Sequence, residues 1–216
     1  MPLFVLEKEL YFPPVHLAEP DGLLAIGGDL SVERLLLAYK NGIFPWYAGE
    51  HILWWSPDPR FVLFPENLKV SKSMKQLIKK EDYQFTINKA FEEVINNCKT
   101  INRKEQEGTW ITAEVKKAYI LLHKKGFSHS AEVWKDGVLA GGLYGVQLGK
   151  VFFGESMFSK KNNASKYAFI KYSEYLKTEG VEIIDCQIYT EHLESLGAEM
   201  IPRNVFMQIL QNLELR

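Results

Sequence analysis

The 216-residue chain has little cysteine and no long apolar run, and each absence excludes a class of protein. Cys98 and Cys186 are its only cysteines and form no Cys-x-x-Cys pair, which excludes a disulfide-dense secreted scaffold and a zinc ribbon. No stretch reaches the roughly 18–20 apolar residues of a membrane span. The first ten residues, MPLFVLEKEL, lack a basic region followed by an apolar stretch. We therefore expect a cytoplasmic protein with no membrane partner.

Several catalytic patterns are missing as well. The five histidines include no His-Glu-x-x-His motif, so the sequence predicts no metal site. Residues 154–158 (GESMF) lack the second glycine of a serine-hydrolase nucleophile elbow. Residues 160–165 (KKNNAS) contain no glycine, which disfavours the pyrophosphate loop of an acyl-CoA enzyme. Cys186 alternates with Ile184 and Ile188 along a predicted strand, so we expect its thiol in the core rather than in a thiol active site.

The net charge of −1 hides an uneven distribution of lysine. Between Asn67 and Lys80 there are five lysines and no acid, and the apolar residues recur there at helical spacing. A second lysine-rich stretch runs from Lys150 to Lys171. Such asymmetry is typical of a surface that binds a phosphate backbone, although two solvated lysine faces would give the same pattern.

The order of predicted elements is typical of an α+β protein. The first sixty residues are rich in proline and glycine and contain one clear helix, over Val32 to Lys40, with Ser31 as its N-cap. The run 56–59 (SPDP) predicts a seam between a small N-terminal domain (1–60) and a larger domain (61–216). The larger domain is predicted to have helices near 70–80, 91–98, 112–125, 164–178 and from 204, and strands at 128–134, 138–147, 151–158, 181–189 and near 200.

In the larger domain, a strand pair is followed by a helix whose start is rich in Asn and Ser. This order resembles the N-acetyltransferase-like fold, so we expect a GNAT-like domain with a mainly antiparallel sheet.

Two predicted strands place polar side chains inside apolar patterns. Asp185 and Gln187 lie on the face opposite Cys186, where the acid can polarise the amide or accept a proton through it. A structural pair that holds a loop is equally compatible with this spacing. Phe153, Glu155 and Met157 share a face of the neighbouring strand. This face is compatible with the wall of a pocket that binds an apolar group next to a cation. It is equally compatible with a strand of the core in which the one acid, Glu155, is hydrogen-bonded within the protein.

The tryptophans lie mostly outside the periodic stretches. Trp46 follows Phe44-Pro45, and Trp110 precedes a predicted helix start. Both positions suit a platform on which a nucleic-acid base stacks. We interpret Trp54 and Trp55 instead as a hydrophobic plug between the two domains.

Eight stretches, in chain order, form a specific series: DGLLAIGGDLS (21–31), NGIFPW (41–46), LWWSPDPR (53–60), EGTWIT (107–112), HSAEVW (129–134), GGLYGV (141–146), FFGESMFS (152–159) and DCQ-x-x-T-x-HL-x-SLGA (185–198). In this order they resemble the leucyl/phenylalanyl-tRNA–protein transferase family, from about residue 11 to residue 203. The resemblance implies a small N-terminal domain followed by an acetyltransferase-like domain.

The same resemblance implies an activity and its site residues. Members move Leu or Phe from Leu-tRNA or Phe-tRNA onto the α-amine of a protein that begins with Arg or Lys, which marks that protein for degradation by the N-end rule. Gln76 stands at one basic position of the family's tRNA-binding helix, so we expect an altered tRNA contact there. The motifs assign Asp185, Gln187 and Glu155 to catalysis, Trp46 and Trp110 to stacking of the tRNA 3′-adenosine, Met157, Leu143 and Phe153 to the donor side-chain pocket, and Lys72, Lys75, Lys79 and Lys80 to the tRNA backbone.

The chemistry implied in this way requires no cofactor. An aminoacyl-tRNA ester is already activated, so the enzyme has only to position the amine and manage its proton. Nothing indicates an obligate oligomer, and we expect a monomer. Two alternatives stay open: an aminoacyl-tRNA-dependent transferase with another acceptor, such as a cell-wall peptide, and a catalytically silent tRNA-binding module.

Overall fold

A computed structural model describes residues 3–101 and 109–213 of the chain, so Glu107 and Gly108 of the EGTWIT stretch lie outside it. The N-terminal part forms a four-stranded sheet with the strand order β1-β2-β4-β3. One helix, α1 (Val32–Lys40), packs beside this sheet, and the Ser31 hydroxyl accepts the Arg34 N–H as the predicted N-cap. The strands are β1 (Phe4–Leu6), β2 (Leu23–Gly27), β3 (Phe44–Pro45) and β4 (Leu53–Trp55).

The rest of the described chain is built on a seven-stranded sheet with the order β11-β5-β10-β9-β8-β7-β6. Every neighbouring pair is antiparallel except β9 and β10, which run parallel. The predicted α+β fold with a mainly antiparallel sheet is confirmed, whereas the likeness to acetyltransferases stays a prediction. The strands are β5 (Arg60–Leu63), β6 (Gln84–Ile87), β7 (Ser128–Lys135), β8 (Val138–Leu148), β9 (Val151–Ser159), β10 (Ile183–Gln187) and β11 (Glu199–Ile201).

Helices cover both faces of the seven-stranded sheet. One face packs against α3 and α4 in a core that also includes the small sheet, and the other face packs against α5. Because the small sheet and α3 share one apolar core, the two parts of the chain are held together by burial of apolar surface. The helices are α2 (Lys72–Lys79), α3 (Phe91–Thr100), α4 (Ala113–Lys124), α5 (Ala164–Thr178), α6 (Glu191–Glu194) and α7 (Arg203–Asn212), with 3-10 turns at Val15–Leu17 and Pro65–Asn67.

The first strand of the larger sheet begins at Arg60, directly after the SPDP run. β5 pairs there with both β10 and β11. The division into domains 1–60 and 61–216 stays a prediction.

The strands β9 and β10 separate after a short parallel pairing. Their register ends with Asp185 opposite Phe153. Beyond that point each strand contains a β-bulge: Glu155 is the extra residue of β9 against β8, and Cys186 is the extra residue of β10 against β5. Gly145 permits the first bulge, since a Cβ at this position would clash with the Phe153 carbonyl oxygen. The separated strands open a fork in the sheet.

Candidate active site

A cavity of about 540 Å³ occupies this fork. We call it the fork cavity. Its volume lies within the range of small-molecule binding sites, which is roughly 300–1,000 Å³. Its walls come mainly from β8, β9, β10, α5 and α6, and its rim includes residues between α1 and β4. The same opening therefore brings together segments that are far apart in the sequence.

One wall of the fork cavity is apolar. Leu143 and Met157, two of the residues predicted for the donor side-chain pocket, lie opposite each other on β8 and β9 and line this wall. The wall is completed by Phe152, Phe169, Ile184 and Leu193.

The expectation that Phe153 shares this wall with Met157 is wrong. The bulge at Glu155 reverses the alternation of side chains, so Phe153 faces the other side of the sheet, where its ring lies 4.9 Å from that of Tyr39. Phe152 occupies the wall in its place.

Glu155 is the half-buried acid of the fork cavity. The Tyr39 hydroxyl donates to Oε1 at 2.7 Å, and the Tyr119 hydroxyl donates to Oε2 at 2.8 Å. The Gln187 amide Nε2 also donates to Oε1, at 3.0 Å. Burial raises the pKa of Glu155 to about 7, against the opposing effect of these three donors. A carboxyl group with such a pKa exchanges a proton readily near neutral pH.

Asp185 is held in a buried ion pair that the sequence did not predict. Arg60 Nε donates to Oδ1 at 2.8 Å and Nη2 donates to Oδ2 at 2.7 Å, and both side chains are fully buried. The guanidinium lies between the rings of Phe44 and Phe206, 4.8 and 4.9 Å from their centroids. In the sequence, the only indication that Arg60 belongs to the site is its position at the end of the LWWSPDPR stretch.

Gln187 adopts a left-handed backbone conformation with φ 64°. A non-glycine residue adopts this conformation only at a cost in free energy. The backbone N–H of Gln187 donates to Asp185 Oδ1 at 2.9 Å, and this hydrogen bond stabilises the turn. Its side-chain amide donates to Glu155. The predicted contact between the side chains of Asp185 and Gln187 is therefore replaced by a contact to the backbone, and the amide is aimed at Glu155.

The two tryptophans of the predicted stacking site both line the fork cavity. Trp46 is 36% exposed and Trp110 is 7% exposed. The ring of Trp46 meets Trp55 edge to face, with centroids 5.8 Å apart. Trp54 is fully buried, and its indole N–H donates to the Gly27 carbonyl oxygen.

Cys186 is half-buried and lies on both the cavity wall and the apolar core of the α5 face. Burial raises the pKa of its thiol, and the charge of Asp185 adds to this effect. A thiol in this environment stays protonated, so it is a poor nucleophile.

The four predicted backbone-binding lysines, Lys72, Lys75, Lys79 and Lys80, are all exposed. They lie on α2 and its C-cap, a helix that turns Met74 into the core. Within the described ranges, none of the four forms an ion pair, whereas Lys150 and Lys171 pair with Glu182 and Glu174. Their charges are therefore available to a polyanion.

Residues 3–101 and 109–213 hold no group of three or more His, Cys, Asp or Glu side chains close enough together to ligate a metal ion. Across the same residues, no helix combines the length and the apolar character that crossing a membrane requires.

Comparisons with known proteins match two consecutive parts of the chain. The family model described as leucyl/phenylalanyl-tRNA protein transferase matches residues 62–211, and the model of the N-terminal domain of that family matches residues 28–58. All residues that line the fork cavity fall within these two matches.

Relatives with a curated name agree with the family match. The leucyl/phenylalanyl-tRNA–protein transferase of Syntrophus aciditrophicus (strain SB) is 57% identical over 190 residues, which are 88% of this chain and 80% of the relative. That of Flavobacterium johnsoniae is 57% identical over 188 residues, or 87% and 89% of the two chains. Among solved structures, a GCN5-related N-acetyltransferase from Kribbella flavida matches with a TM-score of 0.40 and 10% identity, over 77% of this chain and 59% of that one.

Proposed function

The chain belongs to the leucyl/phenylalanyl-tRNA–protein transferase family, and from that premise we propose that it moves Leu or Phe from aminoacyl-tRNA to the α-amine of proteins that begin with Arg or Lys. It is a transferase, and the family uses aminoacyl-tRNA and protein substrates. The added residue would mark the acceptor protein for degradation by the N-end rule. A monomeric state and a cytoplasmic location stay predictions.

The observation that carries the proposal is an apolar wall placed directly beside a hydrogen-bonded polar cluster. Leu143 and Met157 offer a surface for a leucyl or phenylalanyl side chain. Glu155 and Gln187 lie in the same fork cavity, where the amines of the donor and the acceptor would meet. A pocket for binding alone would not need that cluster.

The rim and the α2 surface suit the rest of a charged tRNA. Trp46 and Trp110 offer aromatic rings on which the terminal adenine can stack. Lys75 and Lys79, one helical turn apart on α2, offer unpaired charges to the sugar-phosphate backbone. In this arrangement the ester bond between ribose and amino acid would lie between the rim and the apolar wall.

The chemistry depends on position rather than on activation. The ester already supplies the driving force, so the enzyme brings the acceptor amine to the carbonyl carbon. We assign Gln187 to orienting the amines. Asp185 acts on Gln187 through the backbone N–H, and Arg60 in turn fixes Asp185.

The direct test is transfer of radiolabelled Leu or Phe from charged tRNA to three peptides that differ only in their first residue, Arg, Lys or Ala. Transfer to the Arg and Lys peptides and not to the Ala peptide is expected. Binding of charged tRNA without transfer to any peptide would contradict the proposed acceptor. A panel of amines, including a cell-wall peptide, would then separate a different acceptor from a silent tRNA-binding module.

A further inference from the structure

Glu155 collects hydrogen-bond donors from three separate parts of the chain. Tyr39 lies on α1, in the N-terminal part, and Tyr119 lies on α4. Gln187 lies at the end of β10. The two tyrosines are fully buried and each donates to a different oxygen of the carboxylate. An acid on the protein surface is solvated by water and needs no such donors. We infer that the three donors fix the orientation of the Glu155 carboxylate and stabilise its negative charge.

We propose that Glu155 is the group that accepts the proton of the attacking amine, and that Tyr39 and Tyr119 are positioning residues that hold it for this step. The inference rests on the proposed aminoacyl transfer and deepens it. It moves the acid–base role from the Asp185–Gln187 pair to Glu155.

The surroundings of the two carboxylates differ in the way this assignment requires. Both oxygens of Asp185 are bound to Arg60 in a fully buried pair, and protonation would break that pair. Glu155 faces the fork cavity and is held by neutral donors only. Its protonation breaks no ion pair, so a proton can come and go within one catalytic cycle.

The step balances without any other reactant. The nitrogen of the neutral acceptor amine forms a bond to the ester carbonyl carbon and loses one proton to Glu155. The bond between that carbon and the ribose oxygen breaks, and the ribose oxygen leaves with the electron pair. This oxygen takes up a proton, from the Glu155 carboxyl directly or through solvent. The carboxylate is ionised again, and the products are an amide and a ribose hydroxyl.

The groups around Glu155 determine the direction of a pH effect. Tyr39 and Tyr119 donate from two helices, Tyr144 lies beside them on β8, and Asp185 and Gln187 approach from β10. Burial raises the pKa of both tyrosine hydroxyls, so they remain donors. A donor stabilises the ionised form of the acid, and its removal must raise the pKa of Glu155. Less carboxylate is then available at neutral pH.

The test is the pH dependence of single-turnover transfer with both substrates saturating, measured for Tyr39→Phe and Tyr119→Phe. Each change keeps the ring and removes one hydroxyl, and with it both the bond to Glu155 and the hydrogen bond between the two tyrosine hydroxyls. We expect the midpoint of the acidic limb to rise by about one pH unit in each variant, because a hydrogen bond to a charged group changes a pKa by roughly that amount. At high pH the rate should return to within about threefold of the unmodified enzyme, since ionised Glu155 is then restored.

The matched control is Tyr167→Phe. Tyr167 is also a buried tyrosine, but its hydroxyl donates to the Tyr83 carbonyl oxygen and its side chain is not part of the cavity wall. This variant should leave the midpoint unchanged. The acceptor α-amine titrates in the same pH range and contributes to the midpoint of every variant. The test therefore uses the difference in midpoint between variants and not its absolute value.

Glu155→Gln should lower the saturated rate by about 10²–10⁴-fold at neutral pH and remove the contribution of Glu155 to the acidic limb. Lower rates in the two tyrosine variants with an unmoved midpoint would overturn the inference. Donor binding can be measured separately, with a non-reactive amide analogue of phenylalanyl-adenosine. If the two tyrosine variants moved the pH midpoint of this binding but not that of the saturated transfer rate, the inference would also be overturned.

A measurement that needs no acceptor separates this inference from the proposed function. The carboxyl stretching band of Glu155, identified by its loss in Glu155→Gln, reports the ionisation of this one group in the free enzyme. Its midpoint should rise in Tyr39→Phe and Tyr119→Phe and not in Tyr167→Phe. If the pH midpoint at which this band titrates does not change in Tyr39→Phe and Tyr119→Phe, the role of the tyrosines is refuted even where transfer occurs. A failure of transfer in the unmodified enzyme refutes the proposed function and the catalytic role of Glu155 together.

Discussion

The Arg60–Asp185 pair lies beside the fork cavity, and its loss should lower the stability of the protein markedly. Both side chains are fully buried, and two charge-assisted hydrogen bonds of 2.8 and 2.7 Å join them. Arg60→Met keeps most of the volume between Phe44 and Phe206 and leaves the Asp185 carboxylate buried without its partner. Removing one member of such a pair costs about 3–5 kcal/mol. For a chain of this length, that lowers the melting temperature by roughly 6–20 °C.

Urea unfolding of four proteins measures the effect: the unmodified chain, Arg60→Met, Asp185→Asn and the double variant. The double variant contains no unpaired buried charge, so it should be more stable than Arg60→Met by about 1 kcal/mol or more. Lys150→Met is the control, because the Lys150–Glu182 pair is about half exposed and should contribute less than about 1 kcal/mol. Equal costs for the buried and the exposed pair, or strictly additive effects in the double variant, would show that Arg60 does not stabilise the buried charge of Asp185.

Three further predictions concern substrates and chemistry. Leu143→Phe reduces the space beside the apolar wall and should therefore reduce transfer of Phe about tenfold more than transfer of Leu. Competition between the two charged tRNAs measures this ratio, and an equal reduction for both would contradict the pocket assignment. Lys75→Gln with Lys79→Gln should weaken tRNA binding and reduce the slope of log affinity against log salt by about 0.7–0.9 for each phosphate that is no longer neutralised, whereas Lys150→Gln should not change it. Cys186→Ser should retain transfer within about threefold, because burial keeps the thiol protonated; a decrease above about 100-fold would indicate a thiol mechanism.

The long helices and the central meander could be predicted from the sequence. The bounds predicted for α5 (164–178) agree with the structure, and Ser31 caps α1 as expected. These elements have enough residues for an apolar period to show. The four strands of the small sheet have two to five residues each and lie among prolines and glycines, so no alternation marks them.

The composition of the active site was only partly predictable. The position of Met157 followed from its motif, but the position of Phe153 did not, because one bulge residue reverses the alternation on which the prediction relied. Arg60 and Tyr39 reach their partners from 125 and 116 positions away in the chain. Local periodicity carries no information about such contacts, and they appear only once the sheet is assembled.

We propose that the fork between β9 and β10 holds the reacting end of the charged tRNA. A crystal structure of the protein with the 3′-amide analogue of phenylalanyl-adenosine tests it most directly. We expect the phenyl ring against Leu143 and Met157, the adenine beside Trp46 and Trp110, and the donor amine within hydrogen-bond distance of the Glu155–Gln187 cluster. An analogue bound elsewhere, or bound here with its phenyl ring turned away from the apolar wall, would contradict the claim.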